Sequence, residues 1–374
     1  MITQSFIKEN TSIKEKLISL DYILVLLILI LGAISFFAMY STERGNFDYH
    51  TKNHVYRFFI FFAVFILVSF TNIRFWYKFS YLFFIIVLLL LLSVDLFGIT
   101  ASGSKRWISL YIFNLQPSEL MKVSLIIFLA RYYYKIPSSN VNHIKFMIVP
   151  LFAIFVPVSM VITQPDLGTA MLIAIGGIGV IWLTGFRLKY FLFSSIVMIC
   201  SLPVVIAFLK PYQKLRILTF LNPERDPLGA GYQIIQSKIA VGSGGIFGKG
   251  YLKGSQSYLD YLPEKHTDFI FTLYAEEFGF VGSVGLLIIY GALLYRIIKI
   301  GNNSRNNFSR LFCYGFATAF FVYVVVNMSM VLGLLPIVGS PLPIMSYGGS
   351  AMLSMMIGFG IVMSCKVTNT GDVN

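Results

Sequence analysis

Tyr22-Ile-Leu-Val-Leu-Leu-Ile-Leu-Ile-Leu-Gly-Ala-Ile-Ser-Phe-Phe-Ala-Met-Tyr40 runs for nineteen residues without a charge. At about 1.5 Å of rise per residue, a helix of this length reaches across the roughly 30 Å hydrocarbon core of a bilayer. Lys8, Lys14 and Lys16 precede it. The apolar core is too long for a signal-peptide h-region and no small-residue cleavage site follows, so the run reads as an anchor. The rest of the chain has the same character. Of 374 residues, 57% are hydrophobic and only 12% are charged, about half the usual ~25%. So few charges cannot cover a water-facing surface, and a chain this apolar and aromatic is not disordered. A polytopic membrane protein remains.

Ten such runs are expected to be transmembrane helices, near 21–40, 55–71, 76–97, 117–134, 146–163, 168–184, 190–209, 267–298, 310–333 and 343–364. The predicted fold is therefore an all-α, ten-helix membrane protein forming a single domain. It has a cytoplasmic segment over 1–20, a large outer loop over 210–266 between helices seven and eight, and a cytoplasmic tail over 365–374. Orientation follows from basic residues. With the N-terminus inside, fifteen of the 29 face the cytoplasm: Lys8, Lys14, Lys16, Arg74, Lys78, Arg131, Lys135, Lys145, Arg187, Lys189, Arg296, Lys299, Arg305, Arg310 and Lys366. The short outer loops hold five, Arg44, Lys52, Arg57, Lys105 and Arg106. Segment 210–266 is too long to guide topology. Both termini are expected in the cytoplasm, and the net charge of +13 faces anionic lipid. No dense basic stripe interleaved with aromatics appears, so nucleic-acid binding is not expected. Cys200, Cys313 and Cys365 form no CxxC, and neither a disulfide framework nor a zinc site is indicated.

In this orientation every polar, glycine-rich or proline-rich motif falls outside, over 98–119, 164–169, 210–268 and 336–349. Residues 229–241 read as a short amphipathic helix, with Ile235 and Ile239 one turn apart and Gln233, Gln236 and Lys238 on other faces. Gly242, Gly244, Gly245, Gly248 and Gly250 follow, a backbone able to turn tightly or to approach a neighbour closely. An interfacial helix with a flexible loop accounts for the same composition.

Individual ionisable residues are informative because they are few. Asp268, expected at the start of the eighth helix, meets unpaired N–H groups and the positive dipole end there, which suits a carboxylate or simply an N-cap. Glu119 and Lys122 lie i, i+3 on one face after Gln116-Pro117-Ser118, as an ion pair would. Asp166, after Gln164 and Pro165, is placed to cap a helix. Glu276 and Glu277 sit about two turns into helix eight, and at least one must face the bundle or a wet cavity. Arg106 beside Trp107 suits an anionic head group, or an interfacial anchor. His50 and His54 have metal-like spacing, but nothing completes a ligand set. Singly, each has a structural explanation; their gathering on one side points to a site.

Six motifs in order carry a resemblance: Gly103-Ser-Lys-Arg-Trp-Ile108, Gln116-Pro-Ser-Glu-Leu-Met-Lys122, Gln164-Pro-Asp-Leu-Gly-Thr-Ala170, Gly231-Tyr-Gln-Ile-Ile-Gln-Ser-Lys238, Leu262-Pro-Glu-Lys-His-Thr-Asp268 and Ser346-Tyr-Gly-Gly-Ser350. Over roughly residues 20–366 the chain resembles the SEDS family (shape, elongation, division and sporulation). It is closer to the rod-shape branch than to the division branch. Lys265 stands where the division type usually has Ala, and Pro336–Pro343 lacks the division type's Thr-Lys-Gly.

The resemblance implies a peptidoglycan glycosyltransferase that polymerises lipid II outside the bacterial cytoplasmic membrane and releases undecaprenyl pyrophosphate. It implies work beside a class B penicillin-binding protein and other membrane proteins of the elongation machinery. The family's essential aspartate maps to Asp268, which could act as base for the acceptor hydroxyl. Trp107, Glu119 and Lys122 match family positions. Substrate contacts are expected from Arg106, Trp107, Gln116, Glu119, Lys122, Gln164, Asp166, Gln233, Gln236, Lys238, Glu264, Lys265, His266, Thr267 and Ser346, with Arg106, Lys238 or Lys265 suited to the pyrophosphate. No metal site is assigned, although a divalent cation, magnesium or manganese, could share that load. The alternatives are a lipid II flippase and a non-catalytic scaffold for the transpeptidase. One-sided polar motifs, without paired broken helices of the inverted-repeat kind, disfavour a transporter.

Overall fold

Leu24, Ile28 and Leu31 recur at helical spacing in the first apolar run and are fully buried, while Tyr22, Ile23, Leu26 and Leu29 face outward. A helix apolar on both faces is one surrounded by protein on one side and hydrocarbon on the other. The structure, a computed structural model, describes residues 13–101, 104–109, 114–137, 140–192, 211–225, 229–255 and 264–370, with Ile196, Cys200 and Leu262 besides.

The helices are α1 (Ile13–Ile18), α2 (Tyr22–Thr42), α3 (Tyr49–Ser69), α4 (Ile73–Phe97), α5 (Pro117–Tyr134), α6 (Ile148–Thr163), α7 (Leu167–Leu183), α8 (Pro211–Leu221), α9 (Ala230–Ser243), α10 (Ile270–Asn303), α11 (Asn307–Val331) and α12 (Gly349–Thr370). Side-chain caps set several of their starts. Asp21 accepts from the Leu24 N–H at 3.0 Å, Asn72 from Arg74 at 2.9 Å and Asn306 from Phe308 at 2.9 Å. Among the described residues six helices, α2, α3, α4, α10, α11 and α12, are long and apolar enough to cross a bilayer, and α6 and α7 are shorter apolar helices. The expected spans coincide with helices apart from that at 190–209, which lies largely outside the described residues. The largest shifts at a helix start, six residues each, come at α12, which begins at Gly349 rather than 343, and at α3, which begins at Tyr49 rather than 55 because its first turns, Tyr49-His-Thr-Lys-Asn-His54, are polar.

α5 is the central helix. Its Met121, Leu125, Ile126, Ile127 and Leu129 are all buried, and it packs against α4, α6, α7, α11 and α12. Two features depart from the sequence reading. The segment after α4 is not all-α: β1 (Ile99–Ala101), β2 (Ser104–Ser109) and β3 (Asn114–Leu115) form an antiparallel sheet in which Ile99 faces Trp107 and Ile108 faces Leu115. In α9 the buried stripe is Ile234, Ser237 and Ala240, whereas Ile239 is 47% exposed. The small side chains of Ser237 and Ala240 admit the neighbouring helices, and Ser237 donates to the Val331 carbonyl at 2.7 Å.

The glycine-rich stretch after α9 has a defined place. α10 is broken at Gly279, where φ is +64° and ψ is −160°. The loop enters this break: Lys249 and Gly250 N–H groups donate to the Glu276 and Glu277 carbonyls, each at 3.0 Å, and Phe280 and Val281 N–H groups donate to Gly245 and Ile246 at 2.9 and 3.0 Å. Gly248 and Gly279 abut backbone so closely that a Cβ on either would overlap it. Glu276 is fully buried and pairs with the Lys249 ammonium at 2.6 Å; Glu277 accepts from the Ser41 hydroxyl. Both adjacent glutamates thus point inward.

At the other end of α2, Asp21 joins three helices. Its buried carboxylate pairs with Arg296 of α10 and, at 3.2 Å, with Lys366 of α12. Burial acts to raise the pKa of Asp21, but the Arg296 and Leu24 hydrogen bonds and the two cations outweigh it and hold the carboxyl below its ordinary 3.8. Stability drawn from a depressed carboxyl is complete above the unfolded pKa and is lost as pH falls through the folded one. Asp21→Asn should therefore lower the melting midpoint by roughly 5 °C at pH 7. The gap from wild type, followed by thermal unfolding in detergent, should persist to about pH 5 and close below 3.8.

Candidate active site in a polar cavity

Pro117 occupies the first turn of α5, where its missing N–H costs nothing, and so starts the helix directly after β3. That start points Gln116 and Glu119 into a cavity of about 560 Å³. The facing walls come from elements distant in sequence. α3 supplies Tyr49 and Arg57, β2 supplies Arg106 and Trp107, and α9 supplies Gln233. The turn before α10 brings Glu264, Thr267 and Asp268, the approach to α12 brings Gly339 and Tyr347, and the first turn of α12 brings Ser350.

Glu119 pairs with the Lys122 ammonium at 2.7 Å, and both side chains are about 5% exposed or less. The Tyr323 hydroxyl lies 3.1 and 3.2 Å from the two carboxylate oxygens, and the ammonium sits 3.8 Å from the centre of the same ring. The expected i, i+3 pair is thus present and buried, with a phenol satisfying both charges. Glu119 lines the cavity; Lys122 stands behind it.

Asp166 caps α7 as expected, accepting from the Thr169 N–H at 3.1 Å. Its second oxygen gathers the Thr169 hydroxyl at 2.9 Å, Gln116 at 3.1 Å and Arg106 at 3.4 Å. The carboxylate thereby aims Arg106, whose guanidinium lies 5.9 Å from the Trp107 ring centre. Gln164 also acts from behind, donating to the Leu91 carbonyl at 3.1 Å.

Asp268 does not cap α10. The helix starts at Ile270, with Phe269 as a cap residue that makes no side-chain bond. Asp268 instead belongs to a tight turn in which Thr267 and Phe269 N–H groups return to the Glu264 carbonyl at 3.2 and 3.3 Å. Asn327 of α11 donates to the Asp268 carbonyl at 2.9 Å and to the Ser340 carbonyl at 2.7 Å, tying this turn to the loop before α12. That loop passes Asp268 at Gly339, where φ is +70° and a Cβ would stand 3.6 Å from the Asp268 carboxylate.

Several expected contacts lie elsewhere. Lys238 is exposed, against Gly333, and Lys265 is buried; neither lines the cavity. Gln236 is also outside its lining. Ser346 accepts from the Leu342 N–H at 2.7 Å and shapes the turn before α12. The His266 ring bonds the Thr42 hydroxyl at 2.8 Å and stacks on His50 at 4.1 Å. His54 is buried against Ser35 at 3.0 Å. Conversely, sequence reading missed Tyr49, Asn114, Thr169, Tyr347 and Arg57. Arg57 had a signal: it lies inside an apolar span, where a charge faces the bundle interior or a wet cavity. Its guanidinium lies 4.6 Å from the Tyr347 ring centre.

The buried pair makes a prediction. Glu119→Gln strands the Lys122 charge and should destabilise the protein by about 3–5 kcal/mol, whereas Glu119→Gln with Lys122→Met should recover most of the loss. Thermal unfolding of the two single variants and the double variant tests the coupling; additive losses would count against it.

A family model described as "Cell cycle protein", covering FtsW, RodA and SpoVE, matches residues 18–371. The chain is 45% identical over 284 residues to peptidoglycan glycosyltransferase MrdB of Escherichia coli K12, over 75% of this chain and 76% of that one. It is 33% identical over 357 residues to stage V sporulation protein E of Bacillus subtilis, over 92% and 96%. A chain of a solved peptidoglycan synthase complex of polymerization and crosslinking aligns with a TM-score of 0.80 at 32% identity, over 93% of this chain and 97% of that one. The rod shape determining protein RodA of Thermus thermophilus aligns at 0.70 and 26% identity, over 95% and 98%. The chain belongs to the FtsW, RodA and SpoVE family of cell cycle proteins.

Proposed function

We propose that this chain is a peptidoglycan glycosyltransferase of cell elongation, polymerising lipid II with Asp268 as its base. The observation that carries the chemistry is one cavity holding the Asp268 carboxylate together with two guanidinium groups, Arg106 and Arg57. The reaction joins the GlcNAc 4-hydroxyl of one lipid II to the MurNAc anomeric carbon of another chain, and undecaprenyl pyrophosphate departs. Asp268 takes the hydroxyl proton as the new C–O bond forms. Arg106, aimed by Asp166, and Arg57, laid over Tyr347, receive the charge that builds on the diphosphate. They take the part that the sequence suggested for Lys238 or Lys265. A single displacement inverts the α linkage to β, and the diphosphate leaves without a protein acid. Gln116, Gln233, Glu264 and Thr267 supply hydrogen-bonding groups for the sugars. Among the described residues no three His, Cys, Asp or Glu side chains gather as a ligand set, so no step is assigned to a divalent cation.

The proposed setting is the bacterial cytoplasmic membrane, crossed ten times with the seventh span over 190–209. Both termini lie inside, and the cavity and the 210–266 segment lie outside. The asymmetry of lysine and arginine between the two sides supports this orientation. The chain acts as a single membrane domain. A class B penicillin-binding protein is its proposed partner, supported by the likeness to a chain of a complex that couples polymerization with crosslinking.

Purified protein with its transpeptidase partner, given lipid II, should make glycan polymer. Asp268→Asn should slow polymerisation by at least roughly 100-fold. Arg106→Lys, which keeps charge but loses the fork, should slow it about 10-fold. An Asp268→Asn protein as fast as wild type would remove the base assignment. A wild type that moved labelled lipid II between leaflets without polymer would identify a flippase, and one that did neither a scaffold.

A further inference from the structure

The first turn of α3 lacks its own cap. Asp48 occupies the cap position but its side chain makes no capping bond. The donors are satisfied instead by Glu43, at the end of α2. Its carboxylate accepts from the N–H groups of Asp48 at 3.1 Å, His50 at 2.8 Å and Thr51 at 3.1 Å, and lies 3.2 Å from the His50 ring nitrogen Nδ1. The Glu43 side chain is only 7% exposed. Burial acts to raise its pKa, but the hydrogen bonds from Thr51 and His50 outweigh burial and keep the carboxyl below its ordinary value. One carboxylate thus fixes both the backbone and the ring of His50.

The His50 ring lies parallel to that of His266, with centres 4.1 Å apart and planes 8° apart. Tyr347 meets His50 edge-on at 5.1 Å, and its N–H donates to the His266 carbonyl at 2.8 Å. Thr42, the residue before Glu43, holds the other face of the arrangement through His266 Nδ1 at 2.8 Å. His266 is two residues from Asp268 in the same turn. The end of α2 therefore grips the turn twice, through Thr42 directly and through Glu43 and His50 by stacking. Asn327 grips it a third time at the Asp268 backbone.

We propose that His50 and Glu43 are positioning residues for Asp268, holding its turn in register through the stacked ring of His266. The inference rests on the glycosyltransferase reading above. Neither residue touches the reacting atoms in this scheme. Removing the stack leaves the Thr42 and Asn327 restraints, so the protein still folds while the carboxylate loses its fixed approach to the acceptor hydroxyl. Displacements of about 1 Å at a reacting group cost up to 10²-fold in rate.

The test is lipid II polymerisation by the purified protein with its transpeptidase partner. His50→Ala should lower kcat about 10-fold with KM changed less than about twofold, and His50→Phe, which keeps a flat ring, should recover at least half of the wild-type kcat. Glu43→Gln should lower kcat in the same sense. Melting midpoints report folding, and His50→Gln, polar and closer in volume, replaces the alanine variant if that one unfolds. A His50→Ala enzyme within twofold of wild type overturns the inference, as does an equal loss in the alanine and phenylalanine variants or a loss confined to KM. A wild type without polymer sinks the glycosyltransferase reading itself, and this inference with it; a polymerising wild type matched by His50→Ala sinks this inference alone.

Discussion

Charge inside an apolar bundle has to be met by protein, because hydrocarbon offers it nothing. The architecture is organised around that constraint. Glu119 and Lys122 neutralise one another beneath the cavity, with Tyr323 touching both. Glu276 is neutralised by Lys249, brought from a loop that is otherwise remote. Asp21 gathers Arg296 and Lys366 from two other helices. Each of these ties helices or loops that apolar packing alone would leave free to slide, since side chains facing lipid and side chains facing protein are nearly alike in polarity.

The same constraint governs the backbone. A helix break in a membrane leaves N–H and C=O groups that must be satisfied nearby. The break at Gly279 is filled by the 245–250 loop through four backbone hydrogen bonds. α9, which ends where that loop begins, carries Gln233 into the cavity. A large loop is therefore anchored to a spanning helix at one end and presents a polar side chain to the site at the other. This is a coupling of loop position to site geometry through ordinary hydrogen bonds.

The cavity shows how little of a site need be charged. Asp166 is not among the residues lining the cavity; it orients Arg106 and Gln116. Asn327 and Gly339 likewise act on Asp268 by fixing its turn and leaving room beside it. Preorganisation of this kind holds a carboxylate and two guanidinium groups in one cavity, so that little reorganisation would be needed for a reaction there.

Apolar length was enough to read the membrane class and most helix positions, and the residues of the ordered motifs were enough to read the family. Local rules also sufficed where the partner is near in sequence: Asp166 capping α7 and Glu119 meeting Lys122 depend only on helical spacing. Asp268 did not follow its local rule, because Asn327 and the Glu264 carbonyl hold it in a turn one residue before the cap position. Arg57 was counted with the outer-loop charges although it lies inside the expected span 55–71; packing decides that its position on α3 faces the cavity. Lys238 and Lys265 are as basic as Arg106 in sequence, yet the burial of Ile234, Ser237 and Ala240 turns Lys238 away from the site. The stack of His50 on His266 joins residues more than two hundred positions apart, and no periodicity encodes it. Sequence determines what each segment can bury, because burial follows from side-chain chemistry along one helix. Which charges meet depends on how several helices rotate against one another, and that is decided only when all of them pack.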